Sequence, residues 1–185
     1  MLDYIVYLDH KLFMFINREL SNPIFDYIMP LFDNPKYWIL PILLCWIMLS
    51  IKDKENRYKL IILIPLVILL SDQFGLFIKN YNLRERPWYY FGTELVNNLG
   101  GSGGKNKSFP SNHAANISAI ATIFSYIYYS KKNIFWFVGF IIMFSRIYIG
   151  VHFPLDILAG MFIGILFASI LIKITTNWVE YHQEP

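Results

Sequence analysis

Five near-continuous apolar stretches dominate this chain, and they leave it little choice of fold. They run over Tyr37–Ile51, Tyr58–Lys79, Asn112–Tyr129, Asn133–Ile149 and Pro154–Ile174. A helix that crosses a bilayer needs about 20 mainly apolar residues, and each stretch meets or approaches that length. Composition agrees: 56% of the 185 residues are hydrophobic and 16% are charged, against about 25% charged in an average soluble domain. Soluble, disordered and disulfide-scaffold classes are excluded on this ground. The expectation is an all-α integral-membrane bundle of five to six transmembrane helices, with residues 1–185 forming one domain.

The N-terminal region, residues 1–35, has a different pattern. Residues 2–20 mix Leu2, Ile5, Val6, Phe13 and Ile16 with Asp9, His10, Lys11, Arg18 and Glu19. That alternation predicts an amphipathic helix lying in the membrane interface. Pro23–Leu31 is a short apolar piece that inserts partway or joins the first span. No basic n-region or small-residue cleavage site marks a signal peptide. The single cysteine, Cys45, allows no intrachain disulfide.

Charge placement gives an orientation. Lys52, Lys54, Arg57 and Lys59 fall in one loop, and Lys131 and Lys132 in another two crossings later, with Lys173 on the same face. Basic residues favour the cytoplasmic side. The opposite face carries Arg84, Arg86, Lys105, Lys107 and Arg146, and the two counts differ only if some of these cations serve a ligand. A net charge of +3 is too slight to suggest nucleic acid as a partner. The bilayer and its lipids are the expected partners, and no residue pattern specifies an oligomeric state.

Residues 80–110 form the one long interval between spans. It contains Gly100, Gly101, Gly103 and Gly104 around Ser102, which reads as a flexible exposed loop or as a mobile lid. Crossing alternation puts this loop on the same face as the turn at 150–153, so three polar clusters gather there. The first is Lys79 to Pro87. The second is Phe109 to His113, where Ser111 is a helix N-cap and the free N–H groups of the first turn suit a phosphate. The third is Ser145 to Asp156, in which Asp156 stands one turn after His152 and can reach back to its imidazole. Arg146 adds a cation able to grip two phosphate oxygens.

These clusters, Lys79-(six residues)-Arg86-Pro87, Pro110-Ser111-Asn112-His113 and Ser145-Arg146-(three residues)-Gly150-(one residue)-His152-(three residues)-Asp156, resemble the three-part signature of the type 2 phosphatidic acid phosphatase superfamily. Asn112 stands where the family pattern usually has Gly; it tolerates turn conformations, and its side chain is expected to narrow the pocket. The resemblance implies an integral-membrane phosphatase with a phosphohistidine intermediate, no metal and no cofactor. His152 maps to the nucleophile, Asp156 to its orienter and His113 to the general acid and base. Lys79, Arg86, Ser111, Asn112 and Arg146 map to the phosphate site. Arg84, Lys105 and Lys107 are expected to contact the headgroup.

A lipid substrate follows from a site at the interface, with lipid A 1-phosphate, phosphatidylglycerophosphate and undecaprenyl pyrophosphate as candidates. The expected location is the inner membrane, with the site facing the periplasm. Alternatives in view are a lipid phosphotransferase, a non-catalytic lipid-binding or transport protein, and a haloperoxidase-like oxidase. Asp72, inside an apolar stretch, is expected to support Lys79 or to pair with another helix. Trp88, Tyr89 and Tyr90 are expected in an interfacial aromatic belt or against the lipid. His10 and His182 are expected at the surface.

Overall fold

The computed structural model describes the backbone of residues 1–101 and 103–183, and their side chains outside 35, 36, 38, 39 and 177–183. Among the described residues every regular element is helical; the single departure is an isolated backbone bridge between Arg84 and Lys107. In chain order the helices are α1 (Leu2–Met14), α2 (Pro23–Ile28), α3 (Pro35–Lys52), α4 (Arg57–Lys79), α5 (Pro87–Tyr90), α6 (Asn112–Ile127), α7 (Lys132–Tyr148) and α8 (Pro154–Gln183). A π-helical turn, Phe15–Glu19, extends α1. The five apolar stretches become α3, α4, α6, α7 and α8. The main misjudged boundary is α8, which runs on past Ile174.

Among the described residues two segments are long and apolar enough to cross a membrane alone, Arg57–Lys79 and Pro154–Thr176. Helices α6 and α7 have 16 and 17 residues, below the length of an unassisted span. They have partners instead. Helix α6 packs against both α4 and α8, most extensively against α8 among the described residues. Side chains are absent where the two backbones meet: a Cβ at Gly160 would strike the carbonyl of Ser111, and one at Gly164 would strike that of Ala115. This small-xxx-small spacing is how membrane helices approach when no hydrophobic drive separates lipid from protein.

The register makes α6 and α8 parallel and α4 antiparallel to α6, so the N-termini of α6 and α8 and the C-termini of α4 and α7 share one end of the bundle. Ser111 N–H donates to the Asp156 carbonyl at 3.0 Å, tying those N-termini together. The far end is tied separately. Tyr128 Oη donates to Asp53 at 2.7 Å, and Tyr126 and Thr176 bond at 3.1 Å. The basic loops at 52–59 and 131–132 therefore gather at that far end.

The N-terminal helix docks on the bundle. Its buried positions, Asp9, Phe13, Ile16 and Asn17, recur at helical spacing. Two of the four are polar, which a simple amphipathic helix would not bury. Asn17 is fully enclosed and bonds both to the Tyr148 carbonyl at 2.7 Å and to the backbone of Asn97 at 2.9 Å. It holds α1, the long loop and the end of α7 in one register.

Candidate active site

His152 is 2% exposed and sits in the turn between α7 and α8. That turn exists because Gly150 takes φ +84°, where a Cβ would also meet Val96 at 2.8 Å and the Asn97 carbonyl at 3.0 Å. Pro154 then opens α8, as its fixed φ favours, and Asp156 follows in the first turn. The imidazole Nδ1 lies 3.6 Å from Asp156 Oδ2. That distance is electrostatic contact and not a hydrogen bond, and Nδ1 has no other partner.

The reason is visible in the other bonds of Asp156. Its Oδ2 accepts Ser108 Oγ at 2.6 Å and the Phe153 N–H at 2.9 Å, and its Oδ1 accepts Arg84 Nη1 at 3.0 Å. Burial drives the His152 pKa down to about 3, against the opposing pull of Asp156. The ring is therefore neutral near pH 7, as a nucleophile must be.

The cations converge on the same end. Lys79 is buried at the end of α4 and donates to the Lys107 carbonyl at 2.9 Å. Arg86 donates to the Gly104 carbonyl at 3.2 Å and to the Val151 carbonyl at 2.9 Å. Arg146 is buried and pairs through Nη1 with Asp33, while its Nε has no partner. His113 remains exposed to solvent and lies within the electrostatic reach of Arg146, Asp33, Lys79 and Arg86. Lys79 and Arg86 also act on His152. Ser111 is enclosed and caps α6 by accepting the Ala114 N–H at 3.4 Å.

Several expectations need correction. The Asn112 side chain does not face this cluster: its Nδ2 donates to Asp72 Oδ1 at 2.8 Å on α4, beside Gly75. Asp72 therefore pairs with α6, where Asn116 also donates to it at 3.4 Å. Arg84 does not point outward to a headgroup. It is paired with Asp9 and Asp156 and lies over the Phe153 ring at 4.0 Å. Lys105 and Lys107 are exposed, with Lys105 over the Tyr89 ring at 4.8 Å.

His10 is not a surface residue: it is half-buried and packs on Tyr90, Phe91 and Phe153 at 4.9–5.2 Å. The side chain of His182 lies outside the described residues. Trp88 packs on the core while Tyr89 and Tyr90 stay exposed, so the three do not share one belt.

The glycine-rich stretch is anchored at its described residues. Gly101 N–H donates to Asp33 at 3.2 Å, and Leu99 N–H donates to the Ile149 carbonyl at 3.1 Å. At Gly103 a Cβ would stand 2.9 Å from the Arg86 guanidinium, so glycine there lets the loop lie against that cation. Asp33 is the residue that sequence reasoning missed. Burial pushes its carboxyl up, but Arg146 outweighs this and holds it below the ordinary carboxylate value. No spacing links Asp33 to Arg146, so only the fold could reveal the pair. Among the described residues no group of three or more His, Cys, Asp or Glu could hold a metal.

A cavity of about 640 Å³ borders the site on the α1 side. Leu2, Ile5, Val6, Tyr90, Phe109 and Phe153 give it apolar walls; Arg84 is part of its lining and neither His113 nor His152 is.

Two histidines, three cations and a buried carboxylate at one end of a helical bundle are suited to phosphoryl transfer, which depends on positioning and on neutralising charge at the equatorial oxygens. The family model of the PAP2 superfamily matches residues 59–180. The chain belongs to this superfamily. It is a phosphatase of a family that includes lipid phosphatases. The lipid A 4'-phosphatase of Porphyromonas gingivalis is 27% identical over 178 residues, covering 94% of this chain and 75% of that protein. The lipid A 4'-phosphatase of Bacteroides thetaiotaomicron is 29% identical over 175 residues, covering 89% and 75%. The crystal structure of Aquifex aeolicus LpxE matches with a TM-score of 0.74 and 31% identity, over 90% of this chain and 95% of that one.

Proposed function

We propose that this PAP2 phosphatase hydrolyses the phosphate of a membrane lipid through a phosphohistidine at His152, without a metal. The observation that carries the reading is the convergence of His152, His113, Lys79, Arg86 and Arg146 at one end of the bundle. In the first step Nε2 of neutral His152 attacks phosphorus and the bond to the lipid oxygen breaks. His113 gives that oxygen its proton. In the second step His113 takes a proton from water, which attacks the phosphohistidine and releases phosphate. Lys79, Arg86 and Arg146 hold the equatorial oxygens, and the N-terminal N–H groups of α6 add to them. Asp156 orients the ring through Nδ1; a catalytic hydrogen bond that is long in the free enzyme tightens in the complex.

The surroundings and the relatives support a lipid substrate. The apolar cavity beside Arg84 suits an acyl chain, and the relatives named as lipid A phosphatases make a lipid A phosphate the leading substrate. Phosphatidylglycerophosphate and undecaprenyl pyrophosphate use the same chemistry. We place residues 1–185 as one membrane domain, with α3, α4, α6, α7 and α8 crossing the inner membrane and α1 in the interface. The basic loops at the far end support a cytoplasmic position for that end and, with it, a periplasmic position for the site.

The test is phosphate release by purified protein in detergent with EDTA present. The panel holds lipid A, phosphatidylglycerophosphate, undecaprenyl pyrophosphate and phosphatidic acid, with His152→Ala as control. Release that survives EDTA, is fastest on lipid A and falls to background in His152→Ala is expected. Activity that requires a metal, or persists in the variant, overturns the reading.

A further inference from the structure

The surroundings of Arg84 assign it a role away from any headgroup. Its side chain spans two buried carboxylates, Asp9 on α1 and Asp156 on α8, which are 1% and 0% exposed. Its guanidinium carbon lies 4.0 Å from the centre of the Phe153 ring, within the range of a cation–π contact. Asp9 is also fixed from its other oxygen, which accepts the Leu155 N–H at 2.8 Å. Ser108 belongs to the same device: its N–H donates to the Arg84 carbonyl at 3.1 Å, and its hydroxyl reaches Asp156 at 2.6 Å. One short backbone pairing, 84 against 107–108, thus presents two donors to one carboxylate.

A buried ion pair is a weak source of stability, because desolvation offsets most of its attraction. Its location is informative. It acts on the one carboxylate beside His152, and it uses a residue, Asp9, outside the stretch 59–180 that matches the family. We propose that Arg84, held by Asp9, is a positioning residue: it fixes the rotamer of Asp156 and hence the orientation of the His152 ring. The N-terminal helix is thereby part of the catalytic apparatus and more than a membrane anchor. This rests on the assignment of His152 and Asp156 made above.

The test measures kcat and KM for lipid A in mixed micelles, with thermal unfolding of each protein. The set is wild type, Arg84→Gln, Arg84→Lys, Asp9→Asn, Asp156→Asn and the double variant Arg84→Gln/Asp156→Asn. At metal centres, loss of the partner that orients a ligand costs about 10–100-fold, and an orienting residue here is expected to act on the same order. Arg84→Gln should lose about that much in kcat, with KM changed less than about twofold. Arg84→Lys, which keeps the charge, should recover part of the loss. Asp9→Asn retains an acceptor for Leu155 and should lower kcat more mildly, so it serves where Arg84→Gln does not fold.

The double variant is decisive: once Asp156 is Asn, the further loss from Arg84→Gln should be small, since residues acting as a unit are not additive. Losses that multiply, or a KM that rises at unchanged kcat as a headgroup contact would give, overturn the proposal. Wild-type activity in Asp156→Asn or His152→Ala would overturn the underlying assignment instead, which separates the two failures.

Discussion

His152 is enclosed in protein, and enclosure decides its protonation. An imidazole in water holds its proton below a pKa of about 6.5; burial lowers that of His152 to about 3. The unfolded chain therefore binds one more proton than the folded chain between those values. Stability from this group is complete above about pH 6.5 and is lost as pH falls. The expected slope is about 1.4 kcal/mol per pH unit for one proton. Thermal unfolding in detergent between pH 7 and 5 measures it, and His152→Asn should flatten the acid side by one proton's worth. Equal slopes in the two proteins would mean that His152 is hydrated. Asp33, held low by Arg146, titrates below this window and does not interfere.

Helix α6 is too short to span a bilayer by itself, and its place depends on how closely α8 approaches. Gly160 and Gly164 face the backbone of α6, so Gly160→Ala and Gly164→Ala should each cost about 1–3 kcal/mol by overpacking. Gly139 on α7 is the matched control: a Cβ there meets Ile117 at 3.8 Å and Ala121 at 3.9 Å, ordinary contact, and Gly139→Ala should melt no lower than wild type. If all three glycines behave alike, the close packing assigned to α6 and α8 is wrong. This contact was hidden from a reading of hydropathy, which sees Gly160 and Gly164 as gaps in an apolar run. The helices themselves were legible, because their apolar stretches are long and their ends are marked by Pro154, Ser111 and the basic loops. The role of α1 was half legible. Its pattern predicts an interfacial amphipathic helix with Asp9 among the polar residues, whereas Asp9 and Asn17 are buried against the bundle.

Across the whole molecule, motif spacing placed the cations and histidines on one end, because crossing alternation is a property of chain order alone. Fine pairing was beyond it. Arg146 with Asp33, Arg84 with Asp9 and Asn112 with Asp72 all join residues far apart in sequence, and a lone charge reads the same whether it faces water or a partner. What unifies the molecule is the use of loops as scaffolding: the 80–110 segment supplies Arg84, Arg86 and Ser108 and wraps the turn that carries His152. The central claim is that this turn carries the phosphoryl group. The most direct measurement is rapid mixing of enzyme with lipid substrate, an alkaline quench that preserves phosphohistidine, and peptide mass spectrometry, in wild type and in His113→Ala. The account predicts one phosphoryl group on the peptide containing His152 in wild type, formed and cleared more slowly in His113→Ala, which loses the acid of the first step and the base of the second. Continued turnover with no phosphoryl group on that peptide, or with one on another residue, would contradict it.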